Sequence, residues 1–227
     1  AISFYNDKRF TDTSKHLQEI LAPICTDGVT LSLQTDNPDS MKAVHRTNLT
    51  KEQIKSAVQW SSERDFNITT ELIFGLPMET RNSFVDTLNN SVAVGFDSIV
   101  CNNLFIVDGI ELHRPEERKK YGIETKFRPL STNYGNIGDQ FCYETEEVVV
   151  STDSFDFSDF LEIRWLSLFF NTIFLIGWYR DFFQFVRGCG IPVADFLLAF
   201  IGSNSQKQRQ TAHTRFITNF ETAVKGE

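Results

Sequence analysis

An acid set inside an apolar strand is the feature that most constrains this chain. Ile68 to Phe74 is rich in β-branched and apolar residues, as a strand buried on both faces of a parallel sheet would be, and Glu71 alone interrupts it with a charge. Gly75-Leu76-Pro77 then stops the strand, because Pro has no N–H for a ladder and Gly permits a sharp change of direction. Thr80 is placed to cap a helix, and Arg81 to Gly95 carries Phe84, Val85, Leu88 and Val92 at helical spacing. A carboxylate therefore stands in a strand that opens into a loop and a helix, and in α/β folds that edge is where ligands bind. The alternative use of such an acid is a plain ion pair with an arginine on a neighbouring strand.

The same grammar runs through the first half. Ile2 to Tyr5 reads as a short strand and Thr11 to Ile24 as a helix with Leu17, Ile20, Leu21 and Ile24 on one face. Val29 to Gln34 reads as a second strand ending on a polar residue. Asn37-Pro38 supplies a cap and a first-turn Pro for a short helix over Asp39 to Val44. Thr50 to Gln53 fits a capping box that opens a helix to about Arg64, and Ser98 to Val107 reads as a fourth strand. Such a βαβ series predicts parallel strands with right-handed connections. The expected fold is α/β, a partial (half) β/α barrel over residues 1–135, followed by a mainly helical, Phe-rich subdomain over 136–227. Arg114 to Asn136, polar and punctuated by Pro115 and Pro129, reads as a linker or strap. Trp165 to Tyr179 is apolar but falls short of the ~20 residues of a membrane span. It is expected as a buried helix running on through Val186 to Gly188, with further helices over Val193 to Ile201 and Thr211 to Val224.

Charge and cysteine usage narrow the functions. The net charge is −8 and no run of Lys and Arg is longer than Arg118-Lys119-Lys120, so no basic stripe for nucleic acid is expected. Cys25, Cys101, Cys142 and Cys189 are far apart, which gives no zinc or disulfide pattern and suggests reduced thiols in a cytoplasmic protein. His16, His45, His113 and His213 form no i,i+4 pair, so no metal ligand is assigned. The chain opens at Ala1 directly in strand-like sequence, which reads as part of a longer polypeptide.

Leu31-Ser32-Leu33-Gln34-Thr35, Met41-Lys42-Ala43-Val44-His45-Arg46 and Glu71 to Thr80, with its Gly-Leu-Pro-x-Glu-Thr ending, resemble in order and spacing the second half of a radical S-adenosylmethionine (radical SAM) enzyme core. Tyr121-Gly122-Ile123 and Arg128-Pro129-Leu130 resemble the cobalamin-associated subgroup. The resemblance implies that Gln34 contacts SAM, that Arg46 reaches the methionyl carboxylate with a bidentate guanidinium, and that Glu71 accepts from the ribose hydroxyls. It implies that Ile73 and Gly75 pack against the adenine, which the region around Asn103 to Phe105, in the next strand, also borders. The family's Cys-x-x-x-Cys-x-x-Cys loop and its Asp-x-His-x-x-Gly cobalamin motif are not in this sequence. The [4Fe-4S] ligands and the cobalamin domain are therefore expected in a missing N-terminal part of the same polypeptide, and these 227 residues alone are expected to be inactive. The family's Leu-Pro-Gly-Thr-Glu-Leu is replaced here by Val107-Asp108-Gly109-Ile110-Glu111-Leu112. The implied function is part of the SAM site for 5′-deoxyadenosyl radical chemistry on a small-molecule substrate, with no catalytic residue assigned. The alternative is a non-catalytic partner-binding module on the half-barrel scaffold.

Overall fold

The structure, a computed structural model, describes residues 10–24 and 28–203. Thr11 caps α1 (Asp12–Leu21) in a reciprocal box with Ser14. β1 (Val29–Gln34) leads to α2 (Pro38–Ala43), whose first N–H groups, those of Asp39 and Ser40, donate to the Asn37 side chain. Thr50 and Gln53 form the expected capping box on α3 (Lys51–Ser62). β2 (Ile68–Phe74) passes through the Gly-Leu-Pro loop to α4 (Arg81–Val94), which Thr80 caps and Gly95, at φ +109°, ends. β3 (Ser98–Asn103) follows.

β1, β2 and β3 lie side by side in that order and pair in parallel, as the βαβ pattern requires. The strand expected over Ser98 to Val107 is split at Leu104. β3 stays with the parallel sheet, while β4 (Phe105–Ile106) pairs antiparallel in a second sheet. The strand expected over Ile2 to Tyr5 and the helix over Thr211 to Val224 lie outside the described residues, as do Cys25 and His213.

Burial alternates along β2. Ile68, Thr70, Leu72 and Phe74 are buried, whereas Thr69, Glu71 and Ile73 are half-covered, so the strand is not sealed on both faces as its composition suggested. Register puts Thr30 of β1 and Val100 and Asn102 of β3 on the same half-open face. The helices cover the other face. Phe74, fully buried, meets Phe84 of α4 at 5.1 Å and Phe155 at 4.7 Å between ring centroids. Each such ring contributes ~1.5–3 kcal/mol through burial.

The stretch expected as a linker is structured. After α5 (Pro115–Lys120) comes a long antiparallel hairpin of β5 (Glu124–Ile137) and β6 (Gln140–Ser151), and the second sheet runs β4-β6-β5. Pro129 is tolerated because β5 is an edge strand, and the register shifts between Pro129 and Tyr134. The expected boundary at residue 135 falls inside β5.

The single helix expected over Trp165 to Val186 is broken. α6 (Phe157–Phe170), capped by Asp156, buries Phe160, Ile163, Trp165, Leu166 and Phe170. A wide π turn (Asn171–Leu175) follows, and Tyr179, at φ +60°, separates it from α7 (Arg180–Gly188). α8 (Val193–Ser203) is the last described element. Leu175, Ile176, Trp178, Tyr179, Phe182 and Phe185 are exposed rather than buried. Among the described residues no single helix is long and apolar enough to cross a membrane, and the apolar parts of α7 and α8 meet at a 110° bend.

Candidate functional site

Four of the six residues singled out from the sequence line one cleft of about 310 Å³: Gln34, Arg46, Ile73 and Asn103. Parallel pairing brings them together, because successive strands present their C-terminal ends at the same edge of the sheet. β1 ends at Gln34, whose φ of +69° turns the chain away from the sheet towards α2. Arg46 follows the end of α2, where its N–H donates to the Met41 carbonyl at 2.9 Å. Its guanidinium is exposed and has no hydrogen-bond or salt-bridge partner among the described residues. Asn103 closes β3. It is 6% exposed, and both its amide nitrogen and its amide oxygen are buried without a hydrogen-bond partner.

Glu71 and Gly75 stand beside the cleft rather than in its lining. Glu71 lies mid-strand on the half-open face, two residues before Ile73, and its Oε2 accepts from the Ser32 hydroxyl at 2.6 Å. The partner is thus a hydroxyl on β1, not an arginine. Gly75, at φ +104°, lets two sheets meet. A Cβ there would stand 3.2 Å from Leu104 Cβ and 3.7 Å from Val149 Cβ. Leu104 N–H donates to Phe74 O at 2.7 Å, and Val149 N–H donates to Leu104 O at 3.0 Å.

Apart from Leu104, which falls in the region expected to border the adenine, the remaining wall was not read as part of a site from the sequence. Leu76 and Leu104 line it, with Ile110, Glu111 and Leu112 around the 3₁₀ turn Glu111–His113. These last residues lie where the sequence departs from the family pattern. Glu111 Oε2 stands 3.7 Å from Nε2 of His45, joining the end of α2 to that turn. The mouth is apolar and its polar groups are few, the make-up of a small-molecule site.

A second set of polar groups lies buried behind the loops. Glu79 is completely buried; its Oε1 accepts from the Ser83 hydroxyl and its Oε2 has no partner. Burial raises its pKa, against the opposing pull of the Ser83, Thr35 and Asn37 side chains. Asp36, exposed beside them, accepts from Asn90 at 3.2 Å, and partial desolvation of its carboxyl raises its pKa. Glu79 is part of the Gly-Leu-Pro-x-Glu-Thr motif, so the signal was present in the sequence although no role had been given to it.

Cys101 is buried in β3, and burial pushes its thiol far above the ordinary range. Cys142 and Cys189 are on other elements, and the described residues contain no group of three or more His, Cys, Asp or Glu side chains placed to hold a metal. The described residues therefore do not fit an iron–sulfur cluster.

No family model matches the chain. It is 28% identical over 170 residues to the cobalamin-dependent radical SAM methyltransferase TokK of Streptomyces tokunonensis, a match covering 67% of this chain and 25% of that protein. It is also 28% identical over 128 residues to the 2-(S-pantetheinyl)-carbapenam-3-carboxylate methyltransferase of Streptantibioticus cattleyicolor, covering 56% and 19%. The chain is homologous to part of the cobalamin-dependent radical SAM methyltransferases. It spans a quarter or less of the length of these two relatives. Among solved structures, coproporphyrinogen III oxidase HemN of Escherichia coli, a radical SAM enzyme, is 25% identical with a TM-score of 0.39, over 45% of this chain and 23% of that one. The radical SAM methyltransferase TsrM of Kitasatospora setae, with cobalamin and a [4Fe-4S] cluster bound, is 16% identical with a TM-score of 0.44, over 57% and 26%.

Proposed function

We propose that this chain supplies one wall of the S-adenosylmethionine site of a radical SAM enzyme, as part of an incomplete β/α barrel, for 5′-deoxyadenosyl radical chemistry on a small-molecule substrate. The observation that carries the reading is Asn103. A buried amide with neither end paired, at the wall of a cleft that also holds an unpaired arginine, suits a ligand that brings a donor, an acceptor and a carboxylate. In this reading Arg46 holds the methionyl carboxylate, Gln34 and Asn103 take polar edges, and Ile73 packs on the base. Glu71 and Gly75 act from beside the cleft, Glu71 as a ribose acceptor already oriented by Ser32. These residues bind and orient; the reductive cleavage of SAM is chemistry of a cluster held by other residues, and cobalamin belongs to the same larger assembly.

The test is calorimetric titration of the chain with S-adenosylhomocysteine, which carries the same adenosyl and carboxylate groups. Saturable binding that Asn103→Leu weakens supports the reading; binding unaffected by both Asn103→Leu and Arg46→Ala overturns the site. The second reading, a partner-binding module, is favoured by the exposed rings of Tyr134, Phe141 and Tyr143 on the hairpin and of Phe182 and Phe185 on α7. It predicts that the chain ignores S-adenosylhomocysteine altogether.

A further inference from the structure

Two loops flank the cleft: the turn that starts from Gln34, the last residue of β1, and the loop after β2, which carries Leu76. Both contain a non-glycine residue in the left-handed region, Gln34 at φ +69° and Met78 at φ +65°. Such backbone costs of order 1 kcal/mol or more and persists only where its surroundings over-determine it. What holds both loops is one polar network that runs from the surface into the interior. Asn37 Nδ2 donates to the Met78 carbonyl at 3.0 Å and to the Ser83 hydroxyl at 3.2 Å, and Asn37 N–H donates to the Thr35 hydroxyl at 3.0 Å. Thr35 and Thr87 hydroxyls stand 3.4 Å apart, and Asp36 N–H donates to the Thr87 hydroxyl at 3.1 Å. Behind these sits the carboxyl of Glu79, accepting from Ser83 and wholly shut off from water.

We propose that Glu79 is a positioning residue of the cleft, the buried carboxyl that keys the turn after β1 to the loop after β2 and so fixes where Gln34 stands. This rests on the adenosyl-site reading given above.

The chemistry asks for the neutral acid. An ionised carboxylate, with Ser83 donating to Oε1 and Oε2 left bare, is costly in a dry interior, and protonation removes that charge while Oε1 goes on accepting from Ser83. The charged group facing Glu79 is Asp36, from the turn after β1, and its negative charge acts in the same direction as burial. Lys51 of α3 acts on Asp36, and α4 presents the hydroxyls of Ser83 and Thr87. A glutamine is the isosteric neutral substitute: its oxygen can take the Ser83 bond and its NH2 the place of Oε2. Alanine leaves Ser83 and Asn37 without their keystone.

The experiment compares the full chain with Glu79→Gln and Glu79→Ala by S-adenosylhomocysteine titration from mildly acidic to alkaline pH. Amide hydrogen exchange of residues 33–49 and 75–83 is followed in parallel. Glu79→Ala is expected to weaken binding by about tenfold, the scale of one lost buried hydrogen bond, and to speed exchange in both loops but not in β2. Glu79→Gln is expected to rescue both readouts. Wild-type affinity is expected to decline as pH rises and that of Glu79→Gln to stay level, which a merely space-filling role would not produce. If Glu79→Ala does not fold, Ser83→Ala, which removes the donor to Oε1, is expected to show the same loop exchange. Equal exchange and binding in all variants, or failure of Glu79→Gln alongside Glu79→Ala, overturns the proposal. Should the wild type bind no S-adenosylhomocysteine, the adenosyl reading falls and the exchange data alone judge Glu79: loops protected in Glu79→Gln but not in Glu79→Ala uphold its keying role, and uniform exchange ends it.

Discussion

The side chain of Asn171 binds the backbone of Cys101 at both ends, accepting from its N–H at 2.8 Å and donating to its carbonyl at 3.2 Å. A side-chain amide thus stands in for a neighbouring strand at the free edge of β3, inside the protein where water cannot pair those groups. The π turn that begins at Asn171 is what brings the amide there.

Asn171→Leu leaves both backbone groups of Cys101 unpaired and should cost about 2–4 kcal/mol. The measurement is the urea midpoint. Asn171→Asp keeps the acceptor and loses the donor, and should fall between the two. A leucine variant as stable as the wild type would show that the edge finds other partners.

Arg46→Ala is expected to weaken S-adenosylhomocysteine binding by about 1.5–3 kcal/mol, the range of hydrogen bonds to charged groups, with little change in melting temperature because Arg46 is exposed and unpaired. A loss of stability equal to the loss of affinity would mean a structural arginine instead.

Gly28→Ala tests the entry to β1. Gly28 has φ +67°, and a Cβ there would lie 2.0 Å from the carbonyl oxygen of Asn67, the acceptor of the Val29 N–H. The substitution should destabilise by more than ~1 kcal/mol, as alanine does where the backbone is left-handed. A melting temperature equal to that of the wild type would contradict this.

Stability should peak between two opposing acids. Arg118 clasps Glu147 through two bonds of 2.6 and 2.8 Å and holds its carboxyl below the ordinary value. That stabilisation is present above the ordinary glutamate value and is lost as pH falls below it. Glu79 works the other way. Its folded-state value is raised, so the folded protein keeps a proton that the unfolded chain has released, and stability declines as pH climbs from the ordinary value of 4.5 towards the raised one. Glu79→Gln should flatten the alkaline side of a stability–pH curve, and Arg118→Ala the acid side, each measured by chemical denaturation.

The parallel sheet was legible because its signals are local. Thr50 with Gln53, Asn37 with Pro38, and Thr80 before Arg81 each write a helix start into adjacent residues, and all three are found. The hairpin of β5 and β6 was misread because Pro129 usually argues against a strand, and only a neighbour on one side makes it harmless. The two-residue Gly138-Asp139 connection, with Gly138 at φ +62°, was the overlooked sign of a tight turn. The break after α6 escaped notice because apolar residues continue through it, and periodicity does not show whether they face a core. Of the residues lining the cleft, Gln34, Arg46, Ile73 and Asn103 had been singled out by their place in or beside sequence motifs, whereas Glu111 and the wall around it depend on how a second sheet folds back, which spacing does not encode.

The aromatic surface outside the core has a calorimetric consequence. Unfolding raises heat capacity by wetting apolar groups, about 12–15 cal/mol/K per residue in ordinary globular proteins. Here Phe127, Phe141, Tyr143, Trp178, Tyr179 and Phe185 are already more than half exposed in the folded chain. They gain little new contact with water on melting and contribute little to that increment. The unfolding curve of this chain should therefore bend less with temperature than its length and its 22 phenylalanines suggest, and the folded state should resist cold better than heat.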